Sequence, residues 1–469
     1  MQQLSAQDAQ FLYIETGNNL THVMGVNIYD PSTAPGGKVR FKDIITHVEE
    51  RLGSSSVFRR RLMRLPYDFD HPYWVQDEFF DVEHHMFHGR LPKPGDWRQF
   101  CIHLARHFSR PMDMNRPLWD MYVIEGLDRI KGIPKGSYAI ATRVHHAAID
   151  GTSAMHFFAA LSDIDSKGTP AIELPEWPAD PVESPSAVTV VNRAVVSNLQ
   201  SPVKMAGTLL RFSPAIFNTV VKSLSSDGSK SRQVPLTRFN QPVSPHKMFD
   251  ATVFSLAKMK QIKDSIEDST INDVVLAICA GALRIYLEHH EELPDDPLVA
   301  IAPVNKRGKG RDSEIPGNKI SAMAVALPTN IDDPIERLLT IRDTTRQTKA
   351  AKSGISARLM TDLSQHVPAA TMAGVARLVA GGRFTSKLCN LFISNVPGPQ
   401  ETLYMNGARL LHTYGLAPLA DGMGLFIATP SYNGEMTFSI ISAREIMPDI
   451  EFFRECLEQS FDELLEAAA

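Results

Sequence analysis

Val144-His145-His146-Ala147-Ala148-Ile149-Asp150-Gly151 sets two adjacent imidazoles between two apolar runs of different period. Upstream, Tyr138 to Val144 is rich in β-branched and aromatic residues and reads as a strand that ends at the histidines. Downstream, Thr152 or Ser153 can cap a helix whose apolar positions are Ala154, Phe157, Phe158, Leu161 and Ile164, the spacing of one helical face. A strand end is where a rigid scaffold presents reactive groups into a cleft. Asp150, four residues past His146, can fold back on the turn, and Gly151 permits the backbone angles of a tight return.

Imidazole suits proton abstraction near neutral pH. Paired histidines can equally serve only to satisfy buried hydrogen bonds. The chain carries its own controls, because His84-His85 and His289-His290 lack Asp-Gly at the matching offset. Those two pairs read as surface or structural.

The 469 residues allow two domains, each with its own core. A composition of 43% hydrophobic and 22% charged residues, with net charge −5, is that of a globular protein and argues against a nucleic-acid binder. Cys101, Cys279, Cys389 and Cys456 are widely separated, suggesting neither a zinc site nor a disulfide framework, and fit a reducing cytoplasm. Met1 to Asp8 lacks the regions of a signal peptide, and no apolar run is long enough to span a membrane. A cytoplasmic protein is expected, with association at a membrane surface left open.

The spacing predicts helices over 4–12, 41–52 and 97–108, a strand over 22–29, and a solvated basic face at 58–64. Residues 73–82 read as an edge strand. Pro117-Leu118-Trp119 turns the chain into a β-rich run over 121–125, expected beside the 138–144 strand. Five prolines between Pro170 and Pro185 mark an extended connector. Residues 186–240 then carry seven basic residues against the single Asp227, with Leu209, Leu210, Phe212, Ile216 and Phe217 interleaved. This pattern fits either an interfacial membrane-binding helix or a helical hairpin packed between domains. The expected division is 1–167, a connector over 168–240, and 241–469.

In the last segment, Thr270 and Asp273 form a capping-box pattern before an apolar helix over 274–287, placing Asn272 in its first turn. There the free N–H groups and helix dipole favour a developing negative charge, although a lone Asn is more often a cap. Lys306, Arg307, Lys309 and Arg311 form a basic loop. Residues 335–352 read as a helix, 388–393 as a buried strand, Asn433-Gly434 as a hairpin turn, and 449–465 as a closing helix. Both halves mix strands with helices, so two similar α/β lobes are expected.

His145 to Gly151, HHAAIDG, matches the HHxxxDG motif of acyltransferases similar to chloramphenicol acetyltransferase. Asn115 to Trp119 resembles the PLW motif, Ile271 to Val274 the ND motif, and Ser394 to Pro399 the SNVPGP stretch of the bacterial wax ester synthase/diacylglycerol acyltransferase family. Leu4-Ser5-x-x-Asp8 and His22-Val23 match its opening more loosely, and the DFGWG loop of the plant branch is absent.

The resemblance implies two lobes similar to chloramphenicol acetyltransferase, each a mixed sheet flanked by helices, with a tunnel between them. Acyl-CoA, a substrate rather than a cofactor, and a fatty alcohol or diacylglycerol would meet at His146, the general base, with no covalent acyl-enzyme. Asp150 would hold the loop, His145 would support its neighbour, and Asn272 would stabilise the tetrahedral oxyanion. Gly151, Ala147, Pro117, Leu118, Trp119, Asn395, Pro397 and Gly398 would shape the substrate passage. No cofactor or metal is implied, and peripheral binding to the inner membrane or to lipid inclusions is expected. Two other readings are a transferase using a carrier-bound acyl donor and a non-catalytic lipid-droplet-binding protein on the same scaffold. A metal hydrolase using His145, His146 and Asp150 is weaker, since no third protein ligand is suggested nearby.

Overall fold

A computed structural model describes residues 2–65, 70–149, 157–173, 234–304, 321–350, 386 and 388–469. The first sheet has six strands in the order β12 (Tyr404–Met405), β13 (Ala408–Leu416), β2 (His22–Asp30), β7 (Tyr138–His145), β6 (Trp119–Glu125) and β5 (Met86–Arg90). All eight residues of β7 are buried, as expected of a central strand covered on both faces. β6 lies antiparallel beside it, so the two β-rich runs expected to be neighbours are paired, Trp119 opposite Val144.

Each face of this sheet has its own cover. On one lies α3 (Trp97–Phe108), the predicted helix, started by the Asp96 carboxylate accepting from the Gln99 N–H at 2.9 Å. Its Phe100, Leu104 and Phe108, one per turn, pack onto Met24, Val26, Ile28 and Ala141. The opposite face buries Phe58, Trp119, Val144 and Phe157 together. α1 (Ala6–Ile14) starts later than the predicted 4–12, because Ser5 is its N-cap and Asp8 completes the reciprocal bonds.

The second sheet runs β10 (Ser321–Leu327), β9 (Leu298–Val304), β11 (Leu391–Pro397), β14 (Leu425–Tyr432), β15 (Glu435–Ala443) and β8 (Lys247–Ser255). β11 is parallel to both neighbours and the other pairs are antiparallel, giving a mixed sheet. The predicted Asn433-Gly434 turn joins β14 to β15, with both residues at positive φ. Long helices Ile271–His289, Pro334–Ala350 and Ile450–Ala467 pack among themselves and against this sheet. One hydrophobic core runs from α3 into these helices, and the Trp97 indole N–H donates to Asp250 of β8 at 2.7 Å.

The sheets do not follow the division at 168 and 240. β12 and β13, inside the 241–469 segment, complete the first sheet by pairing β13 with β2. Tyr73–Gln76 is the middle strand of a small sheet between Gln2–Gln3 and Arg60–Met63, not an edge strand. The basic 58–64 stretch is not simply solvated, because Arg60 lies over the Trp74 ring at 4.5 Å and donates to the Ala148 carbonyl at 2.9 Å. Most of the basic 186–240 segment and the 306–311 loop lie outside the described residues.

Candidate active site

β7 delivers the two histidines to a tight turn, closed by the Ala148 N–H donating to the His145 carbonyl at 2.9 Å. The PLW segment supports this strand end, since the His145 N–H donates to the Leu118 carbonyl at 2.9 Å. Leu118 and Trp119 are buried, and the Trp119 indole N–H donates to the Phe58 carbonyl at 2.9 Å. His85 stacks on Trp119 and bonds its carbonyl through Nδ1 at 2.7 Å, so this control histidine is structural.

The His145 ring is fully committed. Its Nδ1 accepts the Ala147 N–H at 3.1 Å, which requires that nitrogen to be unprotonated. The proton therefore sits on Nε2, 2.7 Å from Glu15 Oε2 and 3.0 Å from Thr21 Oγ1. Burial raises the Glu15 pKa, but the hydrogen bonds it accepts from His145 and from the Thr21 hydroxyl and N–H outweigh it and hold the carboxyl below its usual range. His145 has no lone pair left for a substrate; it positions the turn.

His146 is the opposite case. Its backbone N–H is tied to the Thr21 carbonyl at 3.0 Å, and its ring stacks on Phe11 with centroids 3.9 Å apart. Its Nδ1 is buried with no hydrogen-bond partner among the described residues. Burial pushes its pKa down to about 4, against the opposing effect of its own backbone. The ring is thus a neutral imidazole at neutral pH. A buried polar atom without a partner is costly, and a group that enters the site recovers that cost by bonding to it.

Other expected site residues fall differently. Ala147 is 3% exposed and packs with Val144, Ala148 and Ile149 in the core. Asp150 and Gly151 lie outside the described residues, as do Thr152 and Ser153. Asn272 sits in the first turn of Ile271–His289, behind the predicted capping box: Thr270 accepts the Asp273 N–H at 3.3 Å and Asp273 accepts the Thr270 N–H at 2.9 Å. Asn395 on β11 faces Thr429, and its Oδ1 is buried and unpartnered among the described residues. Pro397 is exposed at the strand end. Gly398 is required where it stands, since a Cβ there would lie 2.2 Å from the Ser431 carbonyl oxygen. No hydrogen bond or ring contact among the described residues joins Asn272, Asn395, Pro397 or Gly398 to His146.

Phe11, Glu15 and Thr21 were not among the expected site residues. Arg143 and Asp120 also escaped notice, although they sit opposite each other on β7 and β6. Arg143 Nε lies 3.0 Å from Asp120 Oδ1 and its Nη1 donates to the carbonyls of His107 and Arg110 at 2.8 and 2.7 Å. Burial raises the Asp120 pKa, but His107 and Arg143 overcome this and hold it at about 2. Two charges inside buried β runs, Arg143 in YAIATRVH and Asp120 in WDMYVIE, are the signal that could have found them. His22 is structural, its Nε2 meeting the Phe108 carbonyl at 2.7 Å.

Two mixed sheets with flanking helices, and a paired-histidine turn at the end of a central strand, give a fold of the condensation-domain type. The starter condensation domain of rhizomide synthetase, 13% identical, superposes with a TM-score of 0.55 over 100% of this chain and 94% of its own, a likeness of fold alone. A wax ester synthase/diacylglycerol acyltransferase from Marinobacter aquaeolei superposes with a TM-score of 0.72 at 26% identity, covering 100% of both chains. Residues 4–275 match the wax ester synthase/diacylglycerol acyltransferase catalytic domain, and 316–465 match the C-terminal domain of the same family. An O-acyltransferase from Acinetobacter baylyi is 31% identical over 98% of this chain and 96% of its own. A Mycobacterium tuberculosis protein named as a diacylglycerol O-acyltransferase is 33% identical over 100% of this chain and 91% of its own. The chain belongs to the wax ester synthase/diacylglycerol acyltransferase family, and so to the O-acyltransferases.

Proposed function

We propose that this protein moves a long-chain fatty acyl group from acyl-CoA to a fatty alcohol, a diacylglycerol or both, with His146 as general base. A ring nitrogen of His146 takes the hydroxyl proton as the alcohol oxygen attacks the thioester carbonyl. The tetrahedral intermediate then collapses, the C–S bond breaks, and the coenzyme A thiolate recovers the proton from the imidazolium. No acyl-enzyme forms. The observation that carries this is the contrast within the pair: His145 has both ring nitrogens engaged, while His146 is neutral with an unpartnered Nδ1.

Asp150 would hold the turn and Asn272 would donate to the oxyanion across the space between the sheets. Pro117, Leu118 and Trp119, with Asn395, Pro397 and Gly398, would line the passage by which acyl-CoA and alcohol arrive from opposite sides. The enzyme would work at a membrane surface or lipid inclusion, held there by the basic 186–240 segment; no described helix is long and apolar enough to cross a membrane. The test is coenzyme A release from palmitoyl-CoA with hexadecanol or diolein. His146→Ala should lower the rate about 10²- to 10⁴-fold, the usual contribution of a positioned base. Equal rates in wild type and variant would remove His146 from this role.

A further inference from the structure

A cleft of about 420 Å3 opens beside the strand end that carries the histidines, where the 109–117 loop meets the first residues of β5 and β6. Its floor is electrostatically closed, because Asp120 is held between Arg143 and His107, whose Nε2 lies 3.3 Å away. The wall is not. Arg110 and Arg116 are both exposed on the loop. Arg116 lies 3.4 Å from Asp113, and Arg110 has no carboxylate partner among the described residues. Phe87 lines the same cleft, 46% exposed, and meets Tyr122 edge-on with centroids 6.5 Å apart. Paired guanidinium groups are suited to phosphate oxygens, and a half-exposed ring offers a stacking face for a planar base.

We infer that this cleft binds the 3′-phosphoadenosine diphosphate end of coenzyme A, with Arg110 and Arg116 on the phosphates and Phe87 against the adenine. The inference deepens the proposed function and rests on acyl-CoA being the donor. His146 does not line the cleft, but Arg143 does, three residues earlier on the same strand. At about 3.3 Å per residue the reacting ring is roughly 10 Å away along the chain, a gap the pantetheine arm can bridge.

The experiment is calorimetric titration of the full-length protein with coenzyme A. Wild type is compared with Arg110→Glu/Arg116→Glu, with Phe87→Ala, and with Arg98→Glu/Lys258→Glu, which makes the same charge change on exposed helical positions elsewhere. Reversing the two cleft arginines should weaken binding at least about tenfold, and Phe87→Ala about tenfold. The control pair should bind as wild type, and wild-type binding should weaken with added salt. Coenzyme A bound equally by wild type and Arg110→Glu/Arg116→Glu would overturn the cleft while leaving acyl-CoA as donor. A wild type that neither binds coenzyme A nor cleaves palmitoyl-CoA would overturn the donor and the cleft together. Inorganic phosphate competing as strongly as coenzyme A would overturn the nucleotide assignment and leave a plain anion site.

Discussion

Removing the carboxylate of Glu15 should unsettle the active turn without touching either histidine. One oxygen, Oε2, accepts from His145 Nε2 at 2.7 Å, from the Thr21 hydroxyl at 2.8 Å and from the Thr21 N–H at 3.2 Å. In Glu15→Ala the Thr21 hydroxyl keeps the Phe11 carbonyl at 2.9 Å, but the imidazole and amide donors lose this acceptor. The imidazole keeps the Thr21 hydroxyl oxygen 3.0 Å away, so the Thr21 amide is the donor left orphaned, at about 1–3 kcal/mol. The Glu15 side chain is 13% exposed, so entering water offsets part of this, and a loss of about 1–2 kcal/mol is expected. Glu15→Gln keeps an acceptor and loses only its charge, for about 1 kcal/mol. Since Thr21 also anchors the His146 backbone, kcat in Glu15→Ala should fall at least about tenfold, as small displacements at a reacting group do. Urea unfolding and coenzyme A release are the two assays. The folded carboxyl has a lowered pKa, so its contribution is present above about pH 4.5 and fades as pH falls through the folded value. The gap between wild type and Glu15→Gln should therefore narrow in acid. Wild-type stability and kcat in Glu15→Ala would refute this account of how the turn is held.

Three further outcomes follow from the same geometry. With the His146 pKa near 4, the base stays unprotonated in mild acid, so the acidic limb of kcat/KM should fall near pH 4 rather than 6.5; a pH–rate profile checks this. Arg143→Met strands the buried Asp120 carboxylate and should cost about 3–5 kcal/mol in urea unfolding, with Asp120→Asn in the same chain recovering part of it. Asn272→Ala should lower kcat roughly 10²- to 10³-fold, the worth of an oxyanion donor, at nearly unchanged melting temperature; a kcat equal to wild type would remove it from that role.

The strand over 138–145, its neighbour at 119–125 and the helix at 97–108 were legible because period and capping agree there with the tertiary environment. The choice between His145 and His146 was not legible from the residues themselves, since two adjacent imidazoles are chemically identical on paper. What separates them is Glu15 and Thr21, more than a hundred residues upstream and brought close only by β2 pairing with β7. The boundary at 240 misses the strand exchange because local composition says nothing about which sheet Ala408–Leu416 will join.

Pairing Ala408–Leu416 with His22–Asp30 also fixes the order of events during synthesis. The amino-terminal sheet has a bare hydrogen-bonding edge until its missing partner leaves the ribosome, some 379 residues behind Asp30. At about 5–20 residues per second, that edge stays open for roughly 20–80 s, long enough to recruit chaperones or another nascent chain. Fragments ending before residue 408 should thus be found as aggregates, however complete their motifs.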